Sequence, residues 1–267
     1  MARALPLLPA PRRAPWGWAV SGALAGLAAA LVLFAPARWL AQAVAGASDG
    51  RVVLEDARGT LWDGSARLVL TGGPGSRDAA ALPSRLAWRM RPALTGLGLA
   101  LSADCCTPQP LQVRLQARGD GAQLTVLDAA PTQWPAALLA GLGTPWNTLQ
   151  LEGDLQLATR GLALRWTRRG LEVSGGAEVS ALRIASRLST LRPMGSYRLS
   201  LAGGDTPALR LDTLEGSLLL SGQGHWAGAR LRFSGEAAAA PEREAALSNL
   251  LNIIGQRQGA RSLITIG

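Results

Sequence analysis

The stretch LQVRLQARGDGAQLTVLD, residues 111–128, decides the fold class. Apolar and polar side chains alternate on both sides of the sequence Gly119-Asp120-Gly121. Alternation with a period of two is typical of a half-buried β-strand, and a short glycine-containing connection between two such runs indicates a hairpin. The stretch therefore predicts two antiparallel strands.

The same pattern extends in both directions along the chain. In SRLAWRMRP, residues 84–92, the apolar positions 86, 88 and 90 face one way and the arginines face the other. Further alternating runs cover residues 151–179, 196–204, 209–224 and 225–235, with turns predicted near Arg160-Gly161 and Arg169-Gly170. Strand signals that recur about every 8–12 residues predict a mainly β, antiparallel domain, as a meander, a sandwich or an open curved sheet.

Two segments break the alternation and predict helices. WPAALLAGLG, residues 134–143, predicts a short helix in mid-chain. Residues 241–257 predict an amphipathic helix, because Leu247, Leu250, Leu251 and Ile254 fall on one helical face. Pro241 suits its first position, and packing against the sheet is the simplest role for its apolar stripe. The final SLITIG predicts a last edge strand.

Residues 14–37 contain no charged side chain and are long enough to cross a bilayer as a helix, which needs about 20 residues. Three arginines precede them, so the positive-inside rule predicts a cytoplasmic tail at residues 1–13. Residues 38–50 are then a linker, and residues 51–267 form a periplasmic domain. A cleaved signal peptide, ending within AVAGASD at residues 43–49, is the alternative.

The net charge is +9, and all 27 basic residues are arginine. A genome rich in G and C explains this bias, and a surface for nucleic acid or anionic lipid is the alternative. The arginines are scattered and are not interleaved with aromatic residues, as a single-strand binder requires. We therefore expect no nucleic-acid partner.

Few residues could carry chemistry. The chain has one histidine, His225, and two cysteines, Cys105 and Cys106, whereas a zinc site needs three or four ligands. The sequence contains no G-x-S-x-G elbow, no Walker A loop and no dinucleotide-binding motif. We therefore predict that the protein is not an enzyme and has no catalytic residues, metal, cofactor or small-molecule substrate.

The two cysteines are adjacent, in SADCCTPQP, residues 102–110. In an oxidising compartment two thiols seldom stay free. A vicinal disulfide between Cys105 and Cys106, pairing between subunits, and two reduced buried thiols are the options. The nearby prolines mark a loop, which favours the vicinal disulfide.

The stretch RGTLWDGSARL, residues 58–68, places a tryptophan between two glycines. Gly64 permits a positive φ, so that a bulge or sharp bend there would let Trp62 cover the space that Gly59 and Gly64 leave empty. The ring then seals one end of a β core, or it is presented at a bent edge to a partner strand or a lipid chain. We take Gly59, Leu61, Trp62 and Gly64 as the candidate partner-binding residues.

An ordered series of segments resembles the family of type II secretion system protein N, also called general secretion pathway protein N. The series consists of the N-terminal anchor, RGTLWDGSARL, LAWRMRP, LGTPWNTLQLEGDLQL, RPMGSYRLSL, LDTLEGSLLLSGQGHW and FSGEAAAAPEREAALSNLLNIIGQR. The resemblance implies an inner-membrane protein with a periplasmic β-rich domain, in the machine that exports folded proteins across the outer membrane. It implies no catalytic residues, and it covers neither the adjacent cysteines nor the proline-rich tail.

We therefore predict a non-enzymatic, single-pass inner-membrane component of type II secretion. Its sheet edges would contact other components, in the inner-membrane platform or the secretin, by strand addition or side-chain docking. The alternative is a periplasmic lipid-handling protein with an apolar curved sheet, as in AsmA-like proteins. A groove open along its length favours that alternative, and a core sealed by the helix at residues 241–257 favours partner binding. A third alternative, a hydrolase, needs a catalytic constellation that one histidine does not supply.

Overall fold

The computed structural model describes residues 16–168, 170–227 and 230–267, so the expected cytoplasmic tail lies outside the described residues. The chain divides into two compact units, Met1–Ala35 and Pro36–Gly267. Helix α1 of the first unit spans Trp16–Leu33 and buries none of its residues. In the described part of the chain it is the one helix long and apolar enough to cross a membrane. It ends before Pro36, because the residue that precedes a proline disfavours helical backbone.

The second unit begins with a helix, in a stretch that the sequence predicts to be a linker. Helix α2, Ala37–Ala47, follows Pro36 directly. Its residues Ala37, Leu40, Ala41 and Val44 lie on one helical face and pack in a cluster with the buried ring of Trp88. Most of residues 38–50 is therefore a packed element of the domain.

Strands make up 54% of the described residues, which confirms the prediction of a mainly β fold. The first eight strands are β1 Val52–Gly59, β2 Asp63–Thr71, β3 Ala79–Ala81, β4 Leu86–Ala93, β5 Gly96–Ala103, β6 Leu111–Arg118, β7 Gly121–Val126 and β8 Thr132–Pro135. The next eight are β9 Glu152–Thr167, β10 Gly170–Ala185, β11 Gly195–Gly204, β12 Ala208–Gly216, β13 Leu218–Ala227, β14 Arg230–Ala239, β15 Gln256–Gln258 and β16 Arg261–Ile266.

All the strand pairs are antiparallel, and the strands form one open sheet. Their order is β1-β2-β4-β5-β6-β7-β9-β10-β11-β12-β13-β14-β16-β15, with β3 paired to β2 and β8 to β9. The fold is therefore an open meander rather than a sandwich. The predicted last strand forms as β16, but the short β15 pairs beyond it, so β16 is not the edge.

Two of the predicted connections form and one does not. Gly119 and Asp120 connect β6 to β7, and the β9–β10 hairpin closes where Thr167 pairs with Gly170. The turn predicted at Arg160-Gly161 is wrong, because β9 runs through both residues. Gly161 has a φ of +57°, opposite a register shift between Ser174 and Gly176. The glycine therefore serves a β-bulge rather than a chain reversal.

The mid-chain and C-terminal helices are shorter than predicted. A 3₁₀ helix spans Ala136–Leu142, a single helical turn, α3, spans Trp146–Leu149, and α4 spans Glu244–Ile254. Pro241 lies in a turn before α4 and Arg257 lies in β15, so neither belongs to the helix.

The apolar stripe of α4 packs as predicted. Leu247, Leu250 and Leu251 are buried, and Ile254 packs against the same core. A second core lies around Trp88, between α2 and the first strands.

The meander gives the domain two different ends. We call the hairpin end the one where β1–β2, β4–β5, β6–β7, β9–β10, β11–β12 and β13–β14 connect. We call the capped end the opposite one, which carries the 3₁₀ helix, α3, α4 and the longer connections. The candidate residues 59–64 lie at the hairpin end.

Candidate partner-binding site

The candidate site is the connection between β1 and β2. Gly59 pairs with Gly64 at the end of the ladder, and Thr60, Leu61 and Trp62 bridge the two strands. The amide of Thr60 donates to the carbonyl of Asp63 over 2.9 Å, and the amide of Asp63 donates to Thr60 Oγ1 over 3.1 Å. These hydrogen bonds close the turn from within.

The two glycines serve different purposes. Gly59 has a φ of +84°, and a Cβ there would lie 2.5 Å from the carbonyl oxygen of Asp63. Gly64 does not have a positive φ, but a Cβ there would lie 2.6 Å from Cζ2 of Trp88 and 2.7 Å from the carbonyl oxygen of Arg58. The expectation that Gly64 supplies the left-handed backbone is wrong, because the strand ladder continues through it and Gly59 makes the bend.

The ring that fills the space above Gly64 belongs to Trp88 of β4, not to Trp62 as expected. Trp88 is buried, and its indole N–H donates to the carbonyl of Leu61 over 3.1 Å. Two residues further along β4, the amide of Met90 donates to the carbonyl of Trp62 over 2.6 Å. Strand β4 therefore holds the backbone of the turn in place through two hydrogen bonds.

Sequence reasoning placed Trp88 on the apolar face of a strand but not in the site. The useful signal was present, because a tryptophan on a strand that pairs with a glycine-containing strand can cover that glycine. The register pairs Gly64 directly with Trp88. The sequence did not specify this pairing, because Gly64 and Trp88 lie on strands whose paired residues are 20 to 26 positions apart in the chain.

Leu61 and Trp62 are both half-buried. They are therefore anchored in the domain but keep part of their apolar surface in solvent. Thr60 also forms an isolated β-bridge with Pro36, the first residue of the domain. The turn thus joins the start of the domain, the edge strand β1 and the interior strand β4.

Arginines fix the edge strand beside the turn. The guanidinium of Arg85 donates to a carboxylate oxygen of Asp56 over 2.9 Å and to its carbonyl over 2.7 Å. Hydrogen bonds from Arg58 and then Arg85 hold the pKa of Asp56 below its ordinary value. Asp56 has a φ of +48° and lies in a bulge of β1 between Glu55 and Arg58. This bulge interrupts the regular ladder just before the turn.

The other candidate residues lie elsewhere. Cys105 and Cys106 are joined by a disulfide in the β5–β6 connection, at the capped end. Cys106 is buried in a small cluster with Leu82 and Ala103. The structure therefore does not bring the cysteines to the turn.

His225 lies on the polar face of β13, where it pairs across the ladder with Arg232 of β14. It lines an open groove together with Gln223 and Arg210. Among the residues that the structure describes, no group of three or more His, Cys, Asp or Glu side chains could hold a metal ion.

Comparison with known protein families gives one match. The family described as type II secretion system (T2SS), protein N matches residues 50–264, a range that runs from just before β1 into β16 and includes the 59–64 turn. No curated protein and no solved structure matches the chain.

Proposed function

Because the chain belongs to the family of type II secretion system protein N, we propose that it is a non-enzymatic, single-pass inner-membrane component of that machine. Its periplasmic sheet would contact other components of the platform or the secretin through the 59–64 turn. The observation that carries this proposal is the construction of the turn. A glycine pair, a buried indole and two strand-to-turn hydrogen bonds fix a half-exposed Leu-Trp pair at the edge of an open sheet.

The edge strand supports a particular mode of contact. β1 is the first strand in the sheet order, so one of its two hydrogen-bonding sides carries no further strand among the described residues. An extended segment of a partner can add to such an edge, with main-chain hydrogen bonds for affinity and side-chain contacts for specificity. Leu61 and Trp62 would supply the side-chain contacts at the end of that added strand.

The first unit supports the proposed topology. α1 crosses the inner membrane, with Arg3, Arg12 and Arg13 on the cytoplasmic side and residues from Pro36 onward in the periplasm. An oxidising compartment suits the Cys105–Cys106 disulfide. Alkaline phosphatase fused after Gly267 is then active in intact cells. An active cytoplasmic reporter at the same position, with inactive phosphatase, would contradict this orientation.

Photo-crosslinking tests the contact. A photoreactive amino acid at Trp62 in native membranes should give adducts with another secretion component, identified by mass spectrometry. The matched control is the same probe at Trp146, a part-exposed tryptophan at the capped end. Equal adducts from both positions, or none from Trp62, would contradict a contact at the turn.

Complementation tests whether the contact matters. Trp62→Ala removes the side chain but keeps the glycine pair and the backbone hydrogen bonds of the turn. In cells that lack the wild-type chain, it should lower secretion of type II substrates while the protein level stays unchanged. Trp146→Ala should secrete normally. Secretion by Trp62→Ala at the wild-type level would show that the indole has no role in assembly.

Lipid handling is the second candidate function, and one observation favours it. On the apolar face of the sheet, β6 and β7 contain no buried residue, and Leu115 keeps 43% of its surface exposed. The α4 helix covers only the core near the C-terminal strands. The same crosslinker at Leu115 would give phospholipid adducts if this face carries acyl chains.

A further inference from the structure

The hairpin end carries large apolar side chains where hairpins normally carry polar residues. Leu94 lies in the two-residue β4–β5 turn and is fully exposed. Trp166 and Leu171 face each other across the β9–β10 ladder and keep 43% and 52% of their surfaces exposed. Turns and strand ends of soluble domains favour Gly, Asn, Asp and Pro instead. These three side chains expose apolar surface at the hairpin end.

Arginines accompany the apolar residues on the same hairpins. Arg91 precedes the β4–β5 turn, Arg118 precedes the β6–β7 turn, Arg168 lies in the β9–β10 turn and Arg230 begins β14. All four are exposed, and no ion pair links them to an acid among the described residues. By contrast, most other outward arginines of the strands are paired, as Arg89 is with Asp63 and Arg198 with Glu178.

The acids at this end do not cancel that charge. Asp120 and Glu172 both lie against Arg165, at 2.8 Å and 3.7 Å. Asp63 is paired with Arg89, and Asp205 lies in the β11–β12 connection. The hairpin end therefore combines unpaired positive charge with exposed leucine and tryptophan.

The chain also enters the domain at this end. Pro36, the first residue of the second unit, bridges Thr60 in the β1–β2 turn. In the sequence, Leu33, the last residue of α1, precedes Pro36 by only three positions. A chain that leaves a bilayer at Leu33 thus begins the domain at the hairpin end.

We propose that the hairpin end binds the surface of an anionic phospholipid bilayer. Leu94, Trp166 and Leu171 would enter the interfacial region, where leucine and indole side chains gain from leaving water. Arg91, Arg118, Arg168 and Arg230 would meet the phosphates of the headgroups. Each basic residue near an anionic surface strengthens such binding by about fivefold. This inference rests on the proposed placement of α1 in the inner membrane, but it does not depend on which protein meets the 59–64 turn.

An environment-sensitive fluorescent amino acid in the full chain tests the proposal. The chain is reconstituted into nanodiscs of phosphatidylcholine alone or of phosphatidylcholine with phosphatidylglycerol, and the fluorophore replaces Leu94 or, in a second variant, Leu171. We expect blue-shifted emission in the anionic nanodiscs, and quenching by lipids that carry a quencher on the acyl chain. The same fluorophore at Thr190, exposed at the capped end, should show neither effect.

Charge reversal separates bilayer binding from simple proximity. The double variant Arg118→Glu, Arg168→Glu should lose most of the blue shift, whereas Arg187→Glu at the capped end should keep it. Equal emission from the Leu94, Leu171 and Thr190 positions in anionic nanodiscs would overturn the proposal. Shifts that persist at full size in the double variant would overturn the role of the arginines. Secretion by Trp62→Ala is measured in a separate experiment. A negative result in nanodiscs therefore does not bear on the proposed contact at the 59–64 turn.

Discussion

At the scale of single residues, the backbone of Gly59 decides whether the 59–64 turn closes. Gly59→Ala should lower the free energy of unfolding by about 1–3 kcal/mol, because alanine must adopt a φ of +84° and its Cβ would meet the carbonyl of Asp63 at 2.5 Å. Chemical denaturation measures the change. Gly119→Ala is the control, because that turn glycine has no positive φ and no atom within 4 Å of an added Cβ. Equal losses from both variants would contradict a specific requirement at Gly59.

Tyr197 is the chain's one tyrosine, and its hydroxyl is buried with no hydrogen-bond partner among the described residues. Burial raises the pKa of this phenol well above its ordinary value. Tyr197→Phe should therefore leave the free energy of unfolding unchanged or raise it by about 1 kcal/mol, because it removes an unsatisfied buried group. A decrease in the free energy of unfolding by more than about 1 kcal/mol would reveal a hydrogen-bond partner for the hydroxyl.

The same residue predicts a dependence on pH. The unfolded phenol ionises near pH 10, whereas the folded phenol stays protonated to a higher pH. The contribution of Tyr197 to stability is thus complete below about pH 10 and is lost as the pH rises through the folded pKa. Tyrosinate absorbance should appear only with alkaline unfolding, and Tyr197→Phe should lose less stability in that range. Tyrosinate in the folded protein near pH 10 would contradict burial of the phenol.

The residues of the 59–64 turn also show which features of the site could be predicted from the sequence and which could not. The glycine–tryptophan turn was predictable from RGTLWDGSARL, because few residue types tolerate close backbone approach. The choice of ring was not predictable. Trp62 is nearest in sequence, but the register places Trp88 against Gly64, and register between β2 and β4 depends on the whole apolar face.

At the scale of elements, α4 seals the core of the C-terminal strands. Leu250→Ala should lower the free energy of unfolding by about 2–5 kcal/mol, because Leu250 is buried and its loss leaves a cavity beneath the helix. Ile253→Ala is the matched control, since Ile253 lies outside the buried stripe of the same helix and is 44% exposed. Thermal or chemical denaturation compares the two. Similar losses from both variants would show that α4 does not pack through its leucine stripe.

The β5–β6 connection gives a second prediction at this scale. In protein prepared without reductant, titration of free thiols should find none, and peptide mapping should find Cys105 and Cys106 in one peptide joined to each other. Because Cys106 is buried beside Leu82 and Ala103, its thiol should become reactive after reduction only as this loop opens, whereas the exposed thiol of Cys105 should react directly. Two free thiols in the unreduced protein, or a dimer held by a disulfide, would contradict the vicinal pairing.

Helices and strands were predictable from the sequence where the spacing of their apolar residues was regular. Both the strand alternation and the stripe of α4 could be read from the sequence, because each pattern commits a face to the core. α2 was not predicted because its alanine-rich run directly follows the apolar anchor, so its own amphipathic pattern is hard to separate from the anchor. The Arg160-Gly161 pair was misread because glycine serves a bulge as readily as a turn, and only the pairing partner distinguishes the two.

At the scale of the whole molecule, an open sheet distributes its core unevenly. One cluster joins α2 to the first strands around Trp88, and another joins α4 to β9–β14. Between them, β6 and β7 carry hydrogen bonds on both sides but no buried side chain. Backbone pairing without burial contributes little net stability, because water offers the same hydrogen bonds to the open strand. The middle of the sheet should therefore open more readily than either flank.

Hydrogen exchange tests this expectation along the whole sheet. Peptides from β6 and β7 should exchange faster than peptides from β2 and β14, which hold Ala66, Val69, Phe233 and Ala237 in the cores. Leu250→Ala should speed exchange in β14 and leave β2 unchanged, because α4 packs with the second cluster and not with the first. Equally slow exchange in the middle strands and the flanks would contradict this prediction. It would mean that the domain opens as one cooperative unit, because something covers the apolar face of β6 and β7 in solution.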